Sequence, residues 1–83
     1  MKAVVLGREV DVRGFALAGV DGLVCEDAGA LAGGLRVTAA DHEVGLLLLS
    51  AEAAALDPAA VTRFRRRPGA PLVLVLPPVG EAA

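Results

Sequence analysis

Hydrophobic residues along this chain form four short runs, and the segments between them contain residues that typically begin and end helices. The runs cover residues 3–6, 22–25, 44–49 and 72–76. The last two runs contain no polar residue, which is typical of strands that are covered on both faces. We therefore expect a strand at each run and a helix in each of the three segments between them.

The first of these segments predicts a helix with Asp11 as its N-cap. Residues at helical spacing would then form its inward face. That face would comprise Val10, Gly14, Leu17 and Ala18, widened by Phe15. Glycine has no side chain beyond Cα, so Gly14 and Gly19 would let this helix lie close to a sheet.

The other two segments have clearer boundaries. Asp27 is expected to cap the second helix, where Leu31 and Leu35 stand four residues apart on one face. In the third segment, Asp57 precedes a proline at the first helical position, where proline needs no amide partner. The same spacing argument places Val61 and Phe64 on the inward face of the third helix.

The alternation of strands and helices predicts an α/β fold with right-handed crossovers and a parallel sheet. We expect one domain over residues 1–77, helices on both faces of the sheet, and a flexible tail over residues 78–83. The expected strand order is second, first, third, fourth. The last strand would then be an edge, and an uncovered apolar edge favours pairing with a second copy of the chain.

Composition narrows the classes of function. The chain has 83 residues and a formal net charge of −2, so it has no overall attraction for nucleic acid or anionic lipid. Its single cysteine, Cys25, cannot form an internal disulfide and fits a reducing compartment, where it would act as a small buried apolar residue. The apolar runs are too short to span a bilayer, and no signal-peptide pattern is present. We expect a cytoplasmic protein without membrane insertion.

Residues with catalytic potential do not form a recognised arrangement. His42 and Ser50 stand at opposite ends of the third predicted strand, about 20 Å apart at ~3.3 Å per residue, which is too far for a nucleophile and its base. One cysteine and one histidine do not make a zinc site. After the first strand the chain offers Gly7, Arg8 and Glu9, which is not the carboxylate set of a magnesium site. We expect no catalytic residue, no cofactor and no metal.

The only concentrated charge is the run of arginines at positions 63, 65, 66 and 67. A solvated helix end accounts for it, since cations complement the negative end of the helix dipole. A basic edge that meets an acidic protein surface is the alternative. Nucleic-acid binding would normally add aromatic stacking residues, and the chain has only Phe15 and Phe64.

Several segments occur in an order that matches a known family. They are an opening apolar strand, the segment 14–20, the strand 44–49 running into Ser50-Ala51-Glu52, the segment Leu56-Asp57-Pro58 before the arginine-rich helix, and the closing run 71–77. On these features the chain resembles the F subunit of the archaeal and bacterial V/A-type rotary ATPases. Members of that family usually continue into a C-terminal helical segment, so this chain is expected to be a short form, either natural or trimmed.

The resemblance implies a receiver-like (flavodoxin-like) fold and a non-catalytic role in the central stalk. The implied partners are the coiled-coil stalk subunit, which forms the rotor shaft, and the neighbouring head subunits. The protein would then be peripheral to the membrane through the ATPase complex. The expected partner-binding residues are Phe15, Ser50, Glu52, Arg63 and Arg66.

A second hypothesis assigns the chain to a different class. It would be a stand-alone degenerate receiver-like protein or a small-ligand sensor, and it would use the crevice at the carboxyl ends of the strands. Gly7, Ser50 and Pro77 would line that crevice.

Overall fold

The computed structural model describes residues 1–78, which form eight helices and strands. Each predicted strand is present with ends that differ by at most one residue, and the third helical segment consists of two helices. The elements are β1 (Lys2–Gly7), α1 (Glu9–Ala16), β2 (Asp21–Val24), α2 (Ala28–Ala40), β3 (Val44–Ser50), α3 (Ala51–Leu56), α4 (Pro58–Arg65) and β4 (Leu72–Leu76). Residues 79–83 of the expected tail lie outside the described residues.

All four strands are parallel and follow the order β2-β1-β3-β4. This confirms the predicted α/β class and strand order. Val5 lies between Gly22 and Leu48, and Leu48 lies opposite Leu74. Residues that are paired in this way point to the same side of a sheet, whereas their chain neighbours point to the other side.

Helices pack on both sides of the sheet, as predicted. A Cβ added at Gly22 would lie 2.7 Å from Val5 Cγ1 and 2.9 Å from Cγ1 of Val12 in α1. A Cβ added at Gly34 in α2 would lie 3.1 Å from Leu6 Cδ2. Because Val5 and Leu6 point in opposite directions, α1 and α2 lie on opposite sides, which we call the α1 face and the α2 face.

The hydrophobic core lies on the α2 face, where α2 and α4 cover the sheet. Leu31 and Leu35 from α2 and Val61 and Phe64 from α4 are buried there, as the sequence predicted. The strands contribute Val4, Leu6, Leu47, Leu49 and Val73, and Cys25 joins the same cluster.

Two of the predicted helix starts are confirmed. The Asp27 carboxylate accepts a hydrogen bond from the backbone N–H of Ala30 at 2.7 Å. The Asp57 carboxylate accepts one from the backbone N–H of Ala60 at 3.2 Å, and Pro58 occupies the first position of α4. Both caps satisfy amides that the helix itself leaves unpaired.

The start of α1 differs from the prediction. Arg8 is the N-cap residue, and Asp11 stands at the third helical position. The Asp11 carboxylate accepts hydrogen bonds from the Arg8 backbone N–H at 3.1 Å and from Arg8 Nε at 3.0 Å. The Asp11 side chain thus pairs the backbone N–H of the cap residue, which would otherwise lack a partner at the helix start, as in a capping box.

The inward face predicted for α1 is wrong for the same reason. Asp11 is drawn toward the strand ends by Arg8, so the helix presents Val12 to the sheet. Val10 is 65% exposed and Leu17 is 92% exposed. Nothing lies within 4 Å of a Cβ added at Gly14, so this glycine does not bring α1 close to the sheet.

Adjacent glycines in α2 allow a matched test of how closely that helix approaches the sheet. A Cβ at Gly33 would meet only Arg36 Nη2 at 3.7 Å, whereas one at Gly34 would crowd the buried side chains of Leu6 and Cys25. We expect Gly33→Ala to raise the free energy of unfolding by about 1 kcal/mol through helix propensity. We expect Gly34→Ala to lower it by about 1 kcal/mol, because overpacking outweighs that gain. Urea denaturation of both variants measures the difference, and equal stabilisation by both would contradict the close approach.

Acid should weaken the start of α1. The hydrogen bond from Arg8 holds the pKa of Asp11 below its ordinary value. The stabilisation is therefore complete above that ordinary value and is lost as the pH falls through the lower pKa of the folded state. We expect Asp11→Asn to lower the free energy of unfolding by about 1 kcal/mol at neutral pH. Thermal denaturation should show this difference shrinking below about pH 4.

The exposed Glu43→Gln variant is a control for this prediction, because no side-chain partner of Glu43 is found among the described residues. It should melt like the wild type at neutral pH. A constant difference between the wild type and Asp11→Asn down to strongly acidic pH would count against the Arg8–Asp11 interaction.

Candidate functional site

Open parallel sheets commonly bind ligands where the strand order reverses, at the carboxyl ends of the strands. In this protein that position lies between β1 and β3. Arg8 follows β1 there, and its Nε lies 3.0 Å from Asp11 Oδ2 and 3.7 Å from Glu52 Oε1. One arginine thus joins the start of α1 to the start of α3 by two carboxylates.

Side chains of the protein also fill the space above Gly7. A Cβ added at Gly7 would lie 3.1 Å from both Ser50 Cβ and Ser50 Oγ, and 3.2 Å from Asp11 Cβ. Ser50 is buried, and its hydroxyl accepts a hydrogen bond from the backbone N–H of Ala53 at 3.0 Å. Ser50 therefore caps α3, and a ligand in this crevice would have to displace the contacts among Arg8, Asp11 and Ser50.

The electrostatics of this cluster favour fixed charges over proton transfer. The hydrogen bond with Asp11 raises the pKa of Arg8, and the same bond lowers the pKa of Asp11. Both groups stay ionised at neutral pH, so neither is suited to general acid or base chemistry. Among residues 1–78, no three His, Cys, Asp or Glu side chains converge on a point where a metal ion could sit.

The remaining catalytic candidates stay apart. His42 lies before β3 and Ser50 ends it, so the strand separates them as expected. Cys25 is buried, and burial raises the pKa of its thiol. A buried thiol with a raised pKa is a poor nucleophile.

The structure separates the expected partner-binding residues into two groups. Glu52 lies beside the start of α1 through its contact with Arg8, and Ser50 lies beside Gly7 at the end of β1. Phe15 lies half-buried further along α1. Arg63 and Arg66 are exposed at the end of α4. Because α4 packs on the α2 face, these arginines do not join the surface around Phe15.

One apolar surface was not found from the sequence pattern. On the α1 face, helix α1 covers β1 and β2, and no other helix within residues 1–78 covers the side chains of β3 and β4. Leu72 is 64% exposed and Leu74 is 46% exposed. We call this surface the apolar sheet face, and it consists of Leu46, Leu48, Leu72, Leu74 and Leu76.

Topology supplies the signal that would have revealed this surface. With right-handed crossovers, the connection from β1 to β2 lies on one side of the sheet. The connections from β2 to β3 and from β3 to β4 run in the opposite direction and lie on the other side. Among the described elements, α1 is then the only helix on the α1 face, although β3 and β4 carry apolar residues on both sides.

The outer edge of β4 is partly closed. The Arg65 guanidinium donates a hydrogen bond from Nη2 to the backbone carbonyl of Val73 at 3.4 Å. A charged side chain at a sheet edge obstructs the addition of another strand. A second copy pairing along β4 would have to displace Arg65.

None of the helices within residues 1–78 has the length and apolar character that a membrane crossing requires.

Comparison with known proteins gives one finding. Among families of proteins, the one described as ATP synthase (F/14-kDa) subunit matches residues 3–83. No individual curated protein matches. The family match spans nearly the whole chain, including the four strands and all four helices. The chain therefore belongs to the family of the ATP synthase (F/14-kDa) subunit.

Proposed function

We propose that this protein is a non-catalytic component of the central stalk of a V/A-type ion-translocating rotary ATPase, where it docks on the coiled-coil rotor shaft. The observation that carries the proposal is the family match over residues 3–83. The geometry of the strand ends supports it, because Arg8, Asp11 and Ser50 fill the place where a related fold would bind a ligand.

The mechanism we propose is rigid docking. The core on the α2 face is complete within one chain, so the domain can act as a preformed block. Arg8, the N-cap residue of α1, contacts Asp11 in α1 and Glu52 in α3. These contacts hold the start of α1 and the start of α3 in one arrangement. A preformed surface loses less conformational entropy on binding than a flexible one.

We propose two regions of contact. Phe15 and Glu52 belong to the corner near α1 and α3, where buried Ser50 acts indirectly by holding the start of α3. Arg63 and Arg66 form a separate basic edge, which would face acidic residues of a neighbouring head subunit. Charges at the rim of an interface mainly set orientation and association rate.

The proposal predicts a stable complex with the shaft. The full chain should co-elute in size-exclusion chromatography with the coiled-coil stalk subunit purified from the same cells. Affinity capture under native conditions should recover ATPase stalk and head subunits together. Failure of the purified shaft to bind the chain, with both proteins folded by circular dichroism, would refute the proposed function.

The basic edge has its own expected effect. The double variant Arg63→Glu, Arg66→Glu should slow association with the assembled ATPase by about tenfold at low salt and reduce the salt dependence of that rate. The single variants Arg63→Glu and Arg36→Glu form a matched pair with the same change in net charge, since Arg36 is also exposed but lies on α2. Surface plasmon resonance measures all three variants, and equal effects of the two single variants would show that only net charge matters.

A further inference from the structure

The apolar sheet face is chemically unusual for a surface in water. Sheets that are solvated on one side normally alternate apolar and polar residues along each strand. In β3 and β4, the side chains that point to the α1 face are leucines from Leu46 to Leu76, apart from the buried Ser50 at the end of β3. Exposed contiguous apolar surface of this kind marks an interaction site.

The uncovered area has the dimensions of one helix. Two neighbouring strands at about 4.8 Å spacing present a strip about 10 Å wide, and an α-helix with its side chains is about 10–12 Å across. Five strand residues at about 3.3 Å each give a length of roughly 16 Å, or about three helical turns. On the same face, α1 already covers β1 and β2 and would lie beside the added helix.

One observation disfavours strand pairing with a second copy of this chain. Pairing along the edge of β4 would have to displace the hydrogen bond from Arg65 to the Val73 carbonyl.

The charge around the face indicates what the helix would carry. The Arg65 guanidinium lies at the outer edge of β4, where it donates a hydrogen bond to the Val73 carbonyl. A helix over β3 and β4 would meet this positive charge along one flank. Carboxylate side chains on that flank would be favoured, with apolar residues three and four positions apart facing the leucines.

We propose that the apolar sheet face is the surface on which one amphipathic helix of the coiled-coil rotor shaft docks, with acidic residues of that helix beside Arg65. This inference rests on the proposed function and identifies the surface that performs it. Phe15 and Glu52, at the corner described above, would then border the helix and leave the leucines at the centre of the contact. A few residues near the centre of an interface, where water is excluded, carry most of the binding energy.

A matched pair of substitutions tests the location. Leu72 is 64% exposed on the apolar sheet face, and Val37 is 61% exposed on α2, on the opposite side of the sheet. Leu72→Glu should weaken binding of the purified shaft subunit by roughly 100-fold or more, because it would bury an unpaired carboxylate. Val37→Glu should change the affinity by less than about threefold. Isothermal titration calorimetry measures both, and thermal denaturation confirms that each variant is folded.

The outcomes separate the inference from the proposed function. If the wild-type chain does not bind the shaft, the proposed function fails and the inference falls with it. If the wild type and Leu72→Glu bind equally well, the shaft docks elsewhere and only the inference is overturned. Weaker binding of Val37→Glu than of Leu72→Glu would place the contact on the α2 side and would also overturn it.

Thiol labelling provides a second measurement that does not depend on losing affinity. Cys25 is the only cysteine and is 2% exposed, so an accessible thiol can be introduced at one chosen position. Leu72→Cys and Val37→Cys should both react quickly with a maleimide reagent in the isolated protein. Added shaft should slow the reaction of Leu72→Cys at least tenfold and leave that of Val37→Cys unchanged.

The same variants also test whether something other than the shaft covers the apolar sheet face. A slow reaction of Leu72→Cys in the isolated protein, with a monomer in analytical ultracentrifugation, would mean that the chain covers this face itself. A dimer of the wild type that Leu72→Glu dissociates would identify a second copy as the occupant. Either result would overturn the proposal.

Discussion

The handedness of the crossovers on a parallel sheet determines most of this structure. A right-handed connection fixes the side on which each helix lies once the strand order is set. With the order β2-β1-β3-β4, the first connection lies on one face, and the later two lie on the other. The buried core therefore forms between the sheet and the pair α2 and α4, and the opposite face of β3 and β4 has no helix within residues 1–78.

Local chemistry was sufficient to predict most elements. The strands are continuous apolar runs, and the caps at Asp27 and Asp57 accept the hydrogen bonds that their positions indicated. The prediction for α1 failed because the sequence pattern indicated Asp11 as the cap, whereas Arg8 is the N-cap residue in the structure. The observed register gains hydrogen bonds between Arg8 and Asp11, which a count of apolar spacing does not include.

The candidate site was predictable only in part. The sequence shows which residue types follow each strand, but it does not show which residues from distant segments come into contact. The residue types after β1 are not the carboxylate set of a magnesium site, and the sequence alone establishes this. The contact between Arg8 and Glu52 joins elements that are distant in the chain, so it follows only from the neighbouring positions of β1 and β3. The expectation that both faces of β3 and β4 were covered came from composition, which reports how apolar a strand is but not what covers it.

The separation of core and apolar sheet face would let one small domain bind a partner without disturbing its fold. The side chains that stabilise the fold are buried between the sheet and α2 and α4, so an interaction on the other face need not disturb them. The two exposed features of β4 are also distinct: Arg65 obstructs its edge, while Leu72 and Leu74 remain accessible on its face. Because Arg65 obstructs the edge of β4, an extended segment of another chain is hindered from adding a strand there. Under our proposal, recognition takes place on the face, where a partner must match both a strip of leucines and the charge of Arg65. This double requirement would give a specificity that an open strand edge lacks.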